Sequence, residues 1–219
     1  MRRWIEDHVA STLQVTYPQY GGLSRDLRSA SVMVVATQTF RETSRSAPRS
    51  RQFIVDVRLE RTASAWHATK AIVPGQADGA SSTTIDPGRI LTNQNLILPD
   101  PARADVAART IDDRVLTMLE GLSKQWRLTV QVLKSGHPRN VFATDRISNH
   151  TLGRAVDIWA IDGKPVIDQR ASSWRAVMGE AARLGANEIG GPADLDTVVG
   201  RRPYFTDDVH QDHIHLGFD

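Results

Sequence analysis

The sequence predicts an α+β protein in two unequal parts: a smaller N-terminal α+β domain, then a larger domain with an antiparallel sheet and flanking helices. Three observations carry this expectation. Apolar residues repeat with period two in some stretches and at helical spacing in others. A run rich in Gly, Pro, Ser and Thr divides the chain near residue 75. Five of the seven histidines fall after residue 136, so candidate chemistry gathers in the second part.

Taken in order, Ile5, Val9 and Leu13 recur at helical spacing, and Ala30 to Phe40, with Val32, Met33, Val34 and Val35, is a β-rich apolar run. Arg41 to Arg51, rich in Ser and Arg, reads as a solvated loop. Phe53, Val55, Val57 and Leu59 alternate with Ile54, Asp56, Arg58 and Glu60, and a turn near Thr62 to Ala65 leads into Trp66 to Val73, which predicts a hairpin. Val57-Arg58-Leu59, the turn and then Trp66 resemble the curved-sheet NTF2-like accessory domains of bacterial proteins. Residues 1–74 thus read as a structural or docking domain. Pro74 to Gly88 holds three Gly, two Pro and a Ser-Ser-Thr-Thr run, which makes 75–99 a linker and connecting segment.

Residues 100–219 form the second domain. Asp100-Pro101 is an N-cap followed by Pro at the first helical position. Ile111, Val115, Met118, Leu119, Leu122 and Trp126 keep one apolar stripe, and Leu128, Val130 and Val132 alternate as a strand. A second helix over Ser173 to Leu184 carries Trp174, Val177, Met178, Ala181 and Leu184 on one face and stops at Gly185.

Composition narrows the function classes. The 219 residues are 40% hydrophobic and 24% charged, an ordinary globular balance, and a net charge of +2 argues for no nucleic-acid partner. Cysteine is absent, which excludes disulfides, thiol nucleophiles and thiolate metal sites, so a metal must sit on His, Asp or Glu. Apolar stretches fall short of the roughly 20 residues of a membrane-spanning segment. The opening Met1-Arg2-Arg3-Trp4-Ile5-Glu6-Asp7-His8 lacks the apolar core of a signal peptide.

Two segments carry the chemistry. Ser148-Asn149-His150-Thr151-Leu152-Gly153-Arg154-Ala155-Val156-Asp157-Ile158 runs from a polar turn into an apolar strand, and a fold-back at Gly153 brings His150 towards Asp157. In Asp212-His213-Ile214-His215-Leu216-Gly217-Phe218, the two histidines share a strand face while Ile214 and Leu216 enter the core. Two imidazoles, one carboxylate and an open fourth position make the arrangement of catalytic zinc, which assigns Zn2+ to His150, Asp157 and His215.

Ser148-x-His150-x-x-Gly153-x-Ala155-x-Asp157 followed by His213-x-His215 resembles the D-alanyl-D-alanine carboxypeptidase and dipeptidase branch of the LAS zinc peptidases (lysostaphin, D-Ala-D-Ala peptidases, sonic hedgehog) over about residues 127 to 219. The resemblance implies a small α+β fold around an antiparallel sheet, with zinc on the same three residues. It also implies a general base. Many members place a glutamate three residues before the last zinc histidine, where this chain has Asp212, and others use the first His of the pair, here His213. We take His213 first and Asp212 second. The family's Ser-Gly-Tyr-Arg turn, whose arginine engages the substrate carboxylate, is replaced by Ser135-Gly136-His137-Pro138-Arg139. Arg139, Arg146 and Arg154 are therefore all candidates for that carboxylate, and Ser148 is a further substrate contact.

The expectation is a zinc-dependent peptidase, carboxypeptidase-like or endopeptidase, in which a zinc-bound water attacks peptidoglycan stem peptides or related peptides. Such a substrate favours the cell envelope or the outside of the cell, while the absence of a signal peptide leaves the localisation open. The competing expectation is a zinc-bearing peptide-binding module without turnover, as in the hedgehog branch.

Overall fold

The structure, a computed structural model, describes residues 10–73, 83–196 and 202–219. Four strands form an antiparallel meander in the order of the chain: β1 (Ala10–Leu23), β2 (Ser29–Arg41), β3 (Arg49–Arg61) and β4 (Trp66–Ile72). The hairpin falls where the sequence puts it, and Thr62 N–H donates to Ala65 O at 3.0 Å to close the tight turn, whereas the Arg/Ser loop is shorter than expected, since Arg41 ends β2 and Arg49–Arg51 begin β3. The described part of the N-terminal unit contains strands alone. Leu13 lies in β1, half exposed, rather than on a helix, while Ile5 and Val9 lie outside the described residues. A spacing of four places residues on one face of a strand as well as of a helix, and Thr12, Val15, Thr16 and Tyr17 tip this segment to β.

The second sheet has the order β10 (Tyr204–Phe205), β9 (Glu188–Gly190), β11 (Ile214–Gly217), β7 (Ala155–Ile161), β6 (Leu128–Val132), β5 (Leu96–Ile97), with β8 (Lys164–Pro165) paired to β7. Its central pairs are antiparallel as expected. The edge pairs β5/β6 and β10/β9 are parallel, so the sheet is mixed. Parallel neighbours need a crossover, and two helices provide it between β5 and β6. These are α2 (Asp100–Ala107) and α3 (Asp113–Leu122), which follow α1 (Pro87–Leu91); α4 (Trp174–Arg183) comes later. The helix expected from Asp100 onward is two helices. Arg109 turns left-handed (φ 57°) and Asp112 caps α3 by accepting from Arg114 N. Pro99, not Asp100, is the N-cap of α2, and Asp100 instead accepts from Gln52 N at 2.7 Å.

Ile111, Val115, Met118, Leu119 and Leu122 pack with Trp174, Val177 and Met178 beneath this sheet. Ile90, Leu96 and Leu98, in the segment expected as connector, belong to the same core; residues 75–82 of that segment lie outside the described residues. Met33, Val35 and Ile54 of the first sheet close on Val132 of the second. Tyr17 stacks on Trp159 at 4.3 Å, and Gln131 Nε2 donates to Met33 O across the same seam. No helix among the described residues is long and apolar enough to cross a membrane.

Candidate metal centre

The seam between the two sheets holds the histidine cluster. In the β11/β7 pairing His215 lies directly opposite Asp157, so their side chains rise from the same face of the sheet. His150 arrives on a loop coiled by three successive turns, with Thr151 N, Leu152 N and Gly153 N bonded to the carbonyls of Ser148, Asn149 and His150. Gly153 ends the coil at φ +70°, and a Cβ there would lie 2.2 Å from Thr110 O, so the position needs glycine.

These elements bring the three expected ligands together. His150 Nε2 is 3.1 Å from Asp157 Oδ1 and 3.2 Å from His215 Nδ1, and His215 Nδ1 is 3.0 Å from Asp157 Oδ1. Tetrahedral coordination at 2.0–2.2 Å keeps neighbouring ligand atoms about 3.3–3.5 Å apart, so the triangle needs to open by only about 0.3 Å. The ring orientations agree with this role. His150 Nδ1–H donates to Leu133 O, which leaves Nε2 as the lone pair facing the triangle. His215 Nε2 faces Glu188 Oε2 at 3.3 Å and leaves Nδ1 inward. Asp157 Oδ2 accepts from Gln19 Nε2 at 2.7 Å.

A second group shares the His150–Asp157 edge. His137 stacks on His150 at 4.2 Å, and ligand atoms of His137, His150 and Asp157 all lie within 4.8 Å of one another, so this largely buried group can also hold a metal ion. His137 Nδ1–H donates to Pro138 O at 2.7 Å, which leaves its Nε2 as the coordinating atom. Burial, with the neighbouring His150, pushes the His137 imidazole down to about 3, so the ring is neutral and available.

Burial alone would raise the Asp157 carboxyl, yet the neighbouring His150 and His213 rings and close polar contact with His150 and His215 hold it well below the usual range. Burial alone would lower His215, but its hydrogen bonds with Asp157 and Glu188 lift it to about 9. The hydrogen bond from His215 holds the Glu188 carboxyl far down, against a desolvation cost.

His213 and Asp212 take distinct places. Asp212 Oδ1 lies 2.7 Å from His213 Nδ1, and Asp212 Oδ2 accepts from Tyr20 N at 2.8 Å, so the carboxylate faces His213 and β1. His213 Nε2 then points inward, 3.8 Å from Asp157 Oδ2. A neighbouring pair, Asp207–His210 at 2.7 Å, stands on the rim with the His210 ring 5.0 Å from that of His213.

Of the three arginines, Arg146 alone lines the cavity over the centre, where it pairs with Glu188 at 3.3 Å. Arg139 lines a separate cavity with Arg58 and residues 140–145, and Arg154 reaches towards Asp112 at 4.0 Å; neither lines the cavity over the centre. Ser148 is buried, lines the cavity and accepts from His150 N at 3.3 Å. Sequence reasoning gave no role to Gln19, Tyr17 or Tyr20. Glu188, likewise given no role, is the first residue of β9 and lies beside His215. No protein-family model, curated protein or solved structure matches the chain.

Proposed function

We propose that this chain is a zinc-dependent peptidase of the LAS type, carboxypeptidase-like or endopeptidase, acting on peptidoglycan stem peptides or related peptides at the cell envelope. The observation that carries it is the triangle of His150 Nε2, Asp157 Oδ1 and His215 Nδ1, with edges of 3.0–3.2 Å, beside an inward-facing His213. Two imidazoles and a carboxylate without thiolate suit zinc with an open position. Zinc bound there supplies Lewis acidity towards a peptide carbonyl and makes water a nucleophile near neutral pH.

The chain's own residues supply the rest. Asp212 fixes the His213 tautomer with hydrogen on Nδ1, so Nε2 is the lone pair that takes a proton from the attacking water and returns it to the leaving amine. This supports His213 as base and gives Asp212 the orienting role. Arg146, on the cavity wall, is the arginine placed to hold a peptide carboxylate. Tyr20, Phe142 and Phe205 line the same cavity and exclude water from the scissile bond.

The second reading, a zinc-bearing binding module, is favoured by His137. If its Nε2 joins the other three, four protein ligands close the site in the manner of structural zinc. Metal content of the purified protein, with mass spectrometry of a stem peptide ending in D-Ala-D-Ala, separates the two. One zinc and chelator-sensitive release of D-Ala or a dipeptide, lost in His150→Ala with the fold intact, is the expected result. Zinc without turnover of any cell-wall peptide supports the binding module, and protein that takes up no zinc overturns both.

A further inference from the structure

The N-terminal sheet is more than a neighbour of the centre. Between two register shifts in β1, at Val15/Tyr17 and Tyr20/Gly22, Tyr17, Gln19 and Tyr20 reach across the seam while Pro18 stays exposed. Such bulges re-aim side chains beside functional sites. Three bonds cross from this segment to the carboxylates of the centre and their backbone: Gln19 Nε2 to Asp157 Oδ2 at 2.7 Å, Tyr20 N to Asp212 Oδ2 at 2.8 Å, and Tyr17 O–H to Asp212 O at 2.8 Å.

We propose that Gln19 is a positioning residue of the metal centre, so that the centre is completed only when the N-terminal sheet is docked. This rests on the reading of His150, Asp157 and His215 as a zinc site. An ionised carboxylate can only accept, which fixes the Gln19 amide with Nε2 towards Asp157 and Oε1 away. That bond occupies Oδ2 and turns Oδ1 to the triangle, so Asp157 presents one oxygen rather than two. Gln19 is 2% exposed, and its Oε1 has no hydrogen-bond partner among the described residues. Burying an amide with one atom unsatisfied is unfavourable for the fold alone. Its donor to Asp157 is what the position gains. Outer residues that orient metal ligands typically change metal affinity by about 10–100-fold when replaced.

The test compares the full-length chain with Gln19→Met, which keeps length but removes the donor, and Gln19→Glu, which keeps shape but sets an acceptor against Asp157. Zinc affinity is read by competition with a chromophoric chelator, and ligand geometry by the absorption bands of the cobalt-substituted protein. We expect Gln19→Met to bind zinc about 10–100-fold more weakly with shifted cobalt bands, and Gln19→Glu to bind more weakly still. The melting temperature of the chelated protein checks each fold, and Gln19→Glu alone decides if Gln19→Met does not fold. Wild-type affinity and spectrum in the folded variants overturn the role of Gln19 while leaving the zinc site standing. A wild-type chain that takes up no zinc overturns the site itself, so the two failures are distinct.

Discussion

Replacing Gly153 with alanine strikes the loop that carries His150. The backbone there has φ +70°, a conformation that costs an L residue about 1–2 kcal/mol. The added Cβ would sit 2.2 Å from Thr110 O, where real Cβ contacts below 3.0 Å essentially do not occur, so the loop and the Ile111 segment must separate. That separation pulls on the bond from Asp112 N to Gly153 O (2.9 Å), worth about 1 kcal/mol, and on the one from Gly153 N to His150 O (2.9 Å). The sum is about 2–4 kcal/mol, or about 5–10 °C in melting temperature for a chain of this size. Because the shift is transmitted to His150, zinc affinity falls with it, by an expected tenfold or more on the scale of misoriented ligands. Differential scanning calorimetry and chelator competition on Gly153→Ala measure both. A variant melting within about 2 °C of wild type, with unchanged zinc affinity, refutes the argument that this glycine shapes the site.

Two further outcomes are expected. In the metal-free protein His215 is raised to about 9 from its usual 6.5, so its charge contributes stability that is complete below pH 6.5 and lost as pH rises through 9. The proton and zinc compete for Nδ1, so zinc affinity climbs by about tenfold per unit between pH 7 and 9; a flat profile by chelator competition contradicts this. His213→Ala should keep zinc at full stoichiometry while lowering peptide turnover by about 10²–10⁴-fold, and Asp212→Asn should lose less because His213 remains. Unchanged turnover in His213→Ala, read by mass spectrometry, moves the proton transfer to another group.

Local periodicity made much of this protein legible. The alternation from Phe53, the stripe from Val115 to Leu122 and the stop at Gly185 each reflect forces acting over a few residues. The three residues proposed as ligands were legible for the same reason. A His-x-His pair on a strand shares a face by parity, and a turn glycine folds His150 back on its own strand. Gln19 and Glu188 were not, because they lie 138 residues from Asp157 and 27 from His215 in the chain, and only sheet packing makes them neighbours. Side-chain direction was equally hidden. Arg139 follows His137 and Pro138, which line the cavity, yet is not part of that lining, whereas Arg146 is.

The hydrogen bond from the Tyr20 amide to Asp212 ties a backbone group of the first sheet to the Asp212–His213 pair beside the second. Ligand binding and docking across such a seam are reciprocal: whatever tightens one tightens the other. At a free zinc concentration a hundred times its dissociation constant, the loaded state gains about 2.7 kcal/mol over the stripped one. A share of that gain falls on the junction itself. With zinc bound as proposed, the two halves would form a single cooperative unit whose cohesion follows metal supply, and slowed hydrogen exchange at Tyr20 on loading is the expected local signature.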